Sequence, residues 1–169
     1  MNAANSEPPP VIDSARTLWY ALNDETVRFT DRISLFVGDV GDLSKLDEMP
    51  HLAICENFCA PGEILLFFCN EDWQPQGTVA LDSVKAAKQK AEVGYTGISA
   101  KWAQASSSDN EVDEYLRDVY DVDPSTEWWR LKCAFCGKDD SELDRLFGSP
   151  KAYICDGCIR SLYRTIADD

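Results

Sequence analysis

The chain has 169 residues, of which 44% are hydrophobic, and a formal net charge of −14. This composition excludes wholesale disorder and leaves room for one medium domain and a small one. No apolar run approaches the roughly eighteen residues of a membrane helix, and no basic, apolar leader opens the sequence. The seven cysteines are an odd number, which favours a reducing compartment. We therefore expect a cytoplasmic protein with no membrane partner.

The charge is unevenly distributed along the chain. Residues 130–169 hold seven basic and seven acidic side chains, whereas residues 1–129 hold nine basic and twenty-three acidic ones. The first part therefore carries the whole net charge. Such a surface repels phosphate backbones and attracts basic groups. We expect a protein partner, which is basic if the negative charge contributes to binding. We expect no direct nucleic-acid binding.

The first forty residues predict a tail, a helix and a strand region. Residues 1–12 are expected to be a disordered tail, because three consecutive prolines favour extended polyproline geometry. Asp13 is expected to cap a short helix through SARTLWYALN, where Leu18 and Leu22 lie one turn apart. The β-branched and aromatic residues of VRFTDRISLFVGDV predict one bent strand or two short ones.

The next segments predict helical pieces followed by a β-hairpin. Residues 42–59 are interpreted as two short helical pieces separated at Pro50. The segment EILLFFCNEDW, which begins at Glu63, predicts a buried strand because of its length and apolar content. It is followed by a predicted turn at QPQG and a short return strand at TVAL.

A helix and a tryptophan complete the predicted first domain. Asp82 or Ser83 is expected to cap a helix through SVKAAKQKAEVGY, which has alanines on one face and lysines on the other. Trp102 is expected to fold back as a core anchor. Residues 13–102 are therefore predicted to be a small α+β domain with a mainly antiparallel sheet.

Residues 103–129 are predicted to be an acidic linker and helix, with eight acidic residues and one basic residue. QASSSDN has the composition of a linker, and Val112 and Leu116 lie at helical spacing in the acidic segment that follows. Trp128 and Trp129 end this segment. They are candidate partner-binding residues, because tryptophan is enriched at interface hot spots; the alternative is that they pack between the two domains.

A histidine and three cysteines form a weaker candidate cluster. His51, Cys55 and Cys59 are four residues apart and would share one face of a helix; with Cys69 they could bind a second soft metal ion. The alternative is that these cysteines pack as small core hydrophobes, which we favour. A Cys–His nucleophile would need a third, orienting group, and none is evident. No catalytic residue is assigned.

The C-terminal segment holds four cysteines in a metal-binding pattern. Cys133 and Cys136 form one C-x-x-C pair, and Cys155 and Cys158 form a second pair eighteen residues later. Two residues between thiols let one turn present both sulfurs to an ion, so two pairs supply a tetrahedron of soft ligands. The spacing predicts one structural Zn²⁺ per chain, with no open position for catalysis. The alternatives are two disulfides or four unrelated buried cysteines.

Two local features support this metal site. Gly137 follows the first pair, where the chain must turn sharply and a side chain would be in the way. After the second pair, apolar residues at helical spacing predict a helix whose first N–H groups and positive end point at the thiolates. These residues are Ile159, Leu162, Tyr163 and Ile166.

From Leu131 to about Ile166 the sequence resembles the zinc-binding domain of the ClpX protein unfoldase. The resemblance is carried by the four cysteines and by short motifs and apolar positions between them: Phe135 to Lys138, Leu143, Leu146, Gly148 to Pro150, and Tyr153 to Asp156. It covers about the last quarter of the chain. It implies a small, treble-clef-like C4 zinc module over residues 130–169 that dimerises and recruits proteins.

The departure from that family is equally clear. ClpX continues into an ATPase, whereas this sequence ends at Asp169 and contains no G-x-x-x-x-G-K-[ST] motif. The unfolding activity is therefore not expected here. Since so small a module can bury few apolar groups, some should contact a partner. The candidates in the module are Phe135, Leu146, Phe147 and Tyr153.

The sequence predicts a non-enzymatic adaptor or regulatory protein. Its zinc module would dimerise or dock other proteins, and its acidic first domain would supply the specific contact. The alternative function is an acidic inhibitor that mimics nucleic acid and occupies the groove of a basic nucleic-acid-binding protein.

Overall fold

The computed structural model of the chain describes residues 7–30, 32, 36–37, 44–45, 47–126, 131–149 and 152–167. The chain divides into two compact units, Met1–Pro124 and Ser125–Asp169. Among the described residues, no helix has both the length and the apolar content to span a membrane. In chain order the elements are β1 (Val11–Ile12), β2 (Ala15–Leu22), β3 (Arg28–Phe29), β4 (Phe36–Val37), β5 (Ser44–Lys45), β6 (His51–Asn57), β7 (Ile64–Cys69), β8 (Pro75–Leu81), α1 (Val84–Gly94), β9 (Tyr95–Thr96), β10 (Ala103–Gln104), α2 (Asp109–Tyr120), β11 (Leu146–Ser149), β12 (Ala152–Cys155) and α3 (Asp156–Ala167).

The first unit is built on an antiparallel sheet with the strand order β1-β2-β6-β7-β8, in which β10 also pairs with β2. The register places Leu52 opposite Phe68 and Leu66 opposite Val79. Strands β6 and β7 lie in the middle, and four of the seven residues of β6 and five of the six residues of β7 are buried. The predicted α+β class with a mainly antiparallel sheet is confirmed.

The sheet buries an apolar cluster on each face. On one face, α1 packs through Ala87 and Ala91, with Trp102 half-buried at the edge of the cluster. On the other face, Phe67, Cys69 and Trp73 belong to a second cluster. Because β-strand side chains alternate between faces, one apolar run such as ILLFFC supplies both clusters.

The predicted helix after Asp13 is wrong, since Ala15–Leu22 is strand β2. Its neighbours are β6 on one side and β1 and β10 on the other. The alternating side chains Ala15, Thr17 and Ala21 are buried. Asp13 has a φ of 53° in the tight turn between β1 and β2, a left-handed conformation that aspartate tolerates. Non-local pairing therefore overrides the helical spacing of Leu18 and Leu22.

The predicted helical piece after Pro50 is also wrong, because His51–Asn57 is the central strand β6. Cys55 and Cys69 are fully buried, as predicted for core cysteines. Burial raises the pKa of both thiols, that of Cys69 to about 12. Cys59 differs: it lies in the turn after β6 and is exposed.

The predicted hairpin is present, but its turn comes earlier than QPQG. The chain turns over residues 70–74, where the Asn70 side-chain oxygen accepts from the N–H groups of Asp72 and Gln74 at 3.0 and 2.9 Å. Pro75 already begins β8. Asparagine side chains stabilise turns by bonding the backbone two residues on, so Asn70 sets the turn position.

Helix α1 begins as predicted, because the Ser83 hydroxyl accepts from the Ala86 N–H at 3.1 Å. The acidic helix α2 carries a full capping box between Ser108 and Glu111. The Asp109 carboxylate pairs with Arg16 of β2 at 2.6 Å. The buried side chains of α2 are Val112 and Leu116, and the helix packs against β1. Helix α2 is therefore part of the first unit.

His51, the one histidine of the chain, stacks on Trp73 with 4.3 Å between ring centroids. Trp73 is buried and holds a φ of 61°, a rare conformation for a bulky residue. Among the described residues, His51 Nδ1 is buried without a hydrogen-bond partner. Burial lowers the pKa of this imidazole, so His51 is neutral in the folded protein at pH 7.

We expect the free energy of unfolding of the first unit to fall as the pH drops from 7.5 to 5.5. The folded pKa of His51 lies below the unfolded value of about 6.5, so the unfolded chain binds the proton more strongly. This contribution is present above the unfolded pKa and is lost below it. Denaturant midpoints at several pH values, followed by tryptophan fluorescence, measure the effect. A His51→Gln variant should have a flatter pH profile, and an unchanged slope would contradict the assignment.

Candidate metal centre

The first cysteine pair lies on a tight turn. The Cys133 N–H donates to the Lys138 carbonyl at 2.9 Å, and the Gly137 N–H donates to the Cys133 carbonyl at 2.8 Å. Gly137 has a φ of 73°, which glycine adopts without strain. A Cβ at this position would meet no atom within 4 Å. The glycine is therefore required by the backbone conformation, not by crowding as the sequence suggested.

The second pair lies where a hairpin enters a helix. Cys155 is the last residue of β12, which pairs with β11, and Cys158 lies in the first turn of α3. The Cys158 N–H donates to the Cys155 sulfur at 3.3 Å. One N–H group of the first turn of α3 therefore points at a ligand sulfur, as the sequence predicted. The turn, hairpin and helix together form the small zinc module expected from the sequence.

The four sulfurs converge on one point, with all Sγ atoms within 4.8 Å of one another. Cys133 Sγ lies 3.8 Å from Cys158 Sγ, and Cys136 Sγ lies 3.8 Å from Cys155 Sγ. A tetrahedral Zn²⁺ with Zn–S bonds of about 2.3 Å separates its ligands by about 3.8 Å, whereas a disulfide needs about 2.05 Å. The four cysteines form a C4 site that fits one structural Zn²⁺.

Backbone donors prepare the site for thiolates. Burial by itself raises the pKa of Cys133, but the N–H groups of Cys136, Cys155 and Phe135 lower it to about 6. Cys155 and the other neighbouring thiols raise the pKa of Cys158 to about 12. A divalent cation is therefore needed to hold all four sulfurs as thiolates at neutral pH.

The second candidate metal cluster is not assembled. In the described part of the chain, the group with ligand atoms close enough for a metal is the C-terminal one. On the sheet, His51 lies opposite Cys69, whereas Cys55 lies opposite Leu65 and Cys59 lies beyond the strand end. The strand thus separates side chains that a helix would have brought together.

The sequence-predicted partner residues occupy different environments. Phe135 is 64% exposed and Phe147 is 47% exposed, while Leu146 and Tyr153 are half-buried. Trp128 and Trp129 lie outside the described residues. Tyr153 pairs with Gly148 across the hairpin, and its backbone carbonyl accepts from the Ala134 N–H at 2.8 Å. Tyr153 therefore also contributes to the scaffold of the module.

Sequence analysis did not identify one apolar surface as a candidate contact. The four apolar residues of α3 were expected to define the helix, yet all of them are exposed. Their exposed fractions are 38% for Ile159, 41% for Leu162, 71% for Tyr163 and 74% for Ile166. We call these four residues the α3 stripe. The small size of the module is the sequence signal that could have marked them as contact residues.

We expect Gly148→Ala to destabilise the zinc module by about 1–3 kcal/mol, the usual cost of overpacking. A Cβ at Gly148 would lie 2.2 Å from Cδ1 of the Tyr153 ring, so the ring would have to move. Thermal unfolding of the zinc-loaded protein measures this. Gly157→Ala is the matched control, because its Cβ would meet only Cys155 Sγ at 3.8 Å and alanine favours helix. Equal stability of the two variants would contradict the packing argument.

Part of the chain matches a protein-family model. No solved structure matches the chain. Residues 131–168, however, match the model of the ClpX C4-type zinc finger family, and the match includes all four ligand cysteines. The C-terminal part of the chain is therefore similar to the ClpX C4-type zinc finger, a zinc-binding module of a kind that commonly serves protein–protein interaction.

Proposed function

We propose that the chain is a non-enzymatic adaptor or regulatory protein that dimerises or docks through its zinc module. The observation that supports this most directly is that all four apolar side chains of the α3 stripe are exposed. Phe135 and Phe147 add two exposed aromatic rings in the same module. A small monomeric domain rarely leaves so much apolar surface in water without an interaction partner.

The metal chemistry supports a structural role for zinc. Four thiolates close the coordination shell, so no position remains for the water or substrate that catalytic zinc binds. In this proposal the ion holds the hairpin and α3 together, and the apolar side chains make the contact. The acidic first unit then gives the protein its specificity for a partner.

The α3 stripe predicts the result of a charge substitution. Ile166→Asp should convert a dimer to a monomer, or abolish capture of a docked partner, because a buried carboxylate without a counter-charge is strongly unfavourable at an interface. Analytical ultracentrifugation of the zinc-loaded chain measures the mass in solution. Ser161→Asp is the matched control, because Ser161 lies on the opposite side of α3 and is exposed.

The outcome of that experiment is decisive for the zinc module. A wild-type dimer that Ile166→Asp alone dissociates supports self-association through α3. If the wild type is a monomer, the same two variants are compared in the assay for capture of a docked partner. If Ile166→Asp and Ser161→Asp behave alike in both assays, the α3 stripe is not the contact.

The fixed acidic helix α2 supports the second candidate function, inhibition of a basic nucleic-acid-binding protein. Its capping box and the Arg16–Asp109 pair hold it in place. It carries the acidic residues Asp113, Glu114 and Asp118, and Asp121 follows as its C-cap. Binding that falls steeply with salt and with Asp→Asn and Glu→Gln substitutions on α2 would favour this function. Binding that depends on Phe147 and Tyr153 would favour docking through the zinc module.

A further inference from the structure

The first unit holds an ammonium group between two tryptophan rings. Lys88 Nζ of α1 lies 3.3 Å from the ring centroid of Trp19 and 5.8 Å from that of Trp102. Trp19 belongs to β2 and Trp102 precedes β10, so the fold brings together two rings that are distant in sequence. We call this pair of rings the ammonium cage. Aromatic faces at such distances attract cations, and proteins recognise ammonium ligands in this way.

Trp19 and Trp102 pack against the apolar cluster under α1, but ion pairing does not explain why Lys88 lies between their rings. Among the described residues, no carboxylate lies within ion-pair distance of Lys88. Partial burial lowers the pKa of Lys88, which indicates that the ammonium has lost part of its hydration. In the described part of the chain, Trp102 Nε1 is buried without a hydrogen-bond partner. A buried N–H without an acceptor is costly. A hydrogen bond from the indole N–H therefore does not explain the position of the Trp102 ring.

A groove with a fixed negative charge lies beside the cage. The Glu92 carboxylate accepts from the Gly97 N–H at 2.8 Å and from the Ser99 N–H and hydroxyl at 3.0 and 2.7 Å. These donors, the Gly97 N–H foremost, lower the pKa of Glu92 and keep it charged. The groove has a volume of about 480 Å³ and is lined by Glu92 and Lys88 together with Val84, Lys85, Gln89 and Ser99.

We propose that the Trp19–Trp102 cage is a binding site for a cationic side chain of a basic partner, and that Lys88 occupies it in the free protein. An incoming lysine or methylated lysine would displace Lys88 and place its own ammonium between the rings. The acidic excess of residues 1–129 attracts such a partner, and Glu92 pairs with the arriving charge. This inference goes beyond the proposed function and does not depend on the role of the zinc module.

The test uses the full, zinc-loaded chain and blocked Nε-trimethyllysine as the probe. The indole N–H resonances of the five tryptophans report binding. In Lys88→Ala the cage is empty, so we expect saturable shifts of the Trp19 and Trp102 signals and binding about tenfold tighter than in the wild type, where Lys88 competes. Lys90→Ala is the matched control: Lys90 is exposed on α1 and does not line the groove, so this variant should bind as the wild type does.

Further measurements separate a cation site from simple packing. The uncharged carbon isostere of the probe, with a tert-butyl group, should bind at least about fivefold more weakly. Lys88→Met, which fills the cage with an apolar chain, should not bind. If Lys88→Ala does not fold, the wild type still tests the proposal. At high probe concentration the probe should displace Lys88, so the Lys88 ε-methylene protons should lose their ring-current shift. Equal binding of probe and isostere, or no saturable shift in a folded Lys88→Ala and in the wild type, would overturn the proposal.

Discussion

Cys155→Ser is expected to release the zinc ion and unfold residues 131–167 while the first unit remains folded. In the described part of this unit, the buried hydrophobic side chains are Cys133 and Cys155 themselves, so the core is the metal site. Zinc binding to such modules is worth about 10–16 kcal/mol of apparent free energy at pH 7. No apolar core remains to replace it. Metal analysis should fall from about one zinc per chain to none, and far-UV circular dichroism should lose the signal of α3.

The matched control for this substitution is Cys59→Ser. Cys59 is exposed in the turn after β6 and is not among the four clustered sulfurs, so its loss should change neither metal content nor α3. Treatment of the wild type with a chelator should reproduce the Cys155→Ser result. Zinc retained by Cys155→Ser with an ordered α3 would contradict the C4 assignment. Loss of the first unit's unfolding transition at the same time would contradict independent units.

The zinc site could be predicted because its determinants are local. Each C-x-x-C pair lies within one turn, and the ligand distances follow from those turns once a hairpin joins them. Helices α1, α2 and α3 were predictable for the same reason, since Ser83 and Ser108 cap helices over a few residues of sequence. The positive φ of Gly137 is likewise a local property. In contrast, nothing in the spacing indicated that the α3 stripe would be exposed.

Strands β2 and β6 were not predicted, because their determinants are not local. In strand β2, Leu18 and Leu22 happen to lie at helical spacing. Pairing with β6, whose residues lie 29 to 42 positions later in the chain, overrides this local pattern. Strand β6 follows a proline that resembles a helix boundary, and its cysteines and histidine are spaced as on a helix face. Pairing with β7 decides its conformation, and single-segment patterns do not report such pairing.

These two kinds of determinant are consistent with the different tasks that we propose for the two units. The zinc module is stabilised by one ion and therefore needs few core residues. Its apolar side chains are exposed and remain available for contact with a partner. The first unit is held by two apolar clusters on one sheet and keeps its charged helix in a fixed position. Rigid charge placement makes a surface selective, because like charges on a wrong partner are repelled.

Phe67→Ala is expected to destabilise the first unit by about 3–5 kcal/mol without loss of zinc. Phe67 lies on β7 opposite Ala53 and Thr78 and is 1% exposed. Its removal leaves a cavity among Cys69, Trp73 and the other members of that cluster, and a strand in the middle of a sheet cannot shift to fill it. Denaturant unfolding measures the free energy, and metal analysis checks the zinc module.

Thr78→Ala is the matched control, since Thr78 is the exposed cross-strand neighbour of Phe67 and exposed substitutions usually change stability by less than about 0.5 kcal/mol. A small effect of Phe67→Ala would mean that this face of the sheet is not a packed core. Zinc release by Phe67→Ala would mean that the module depends on the first unit for its fold. The expected result is the converse of Cys155→Ser: each substitution weakens or unfolds one unit and leaves the other intact, because each unit has its own source of stability.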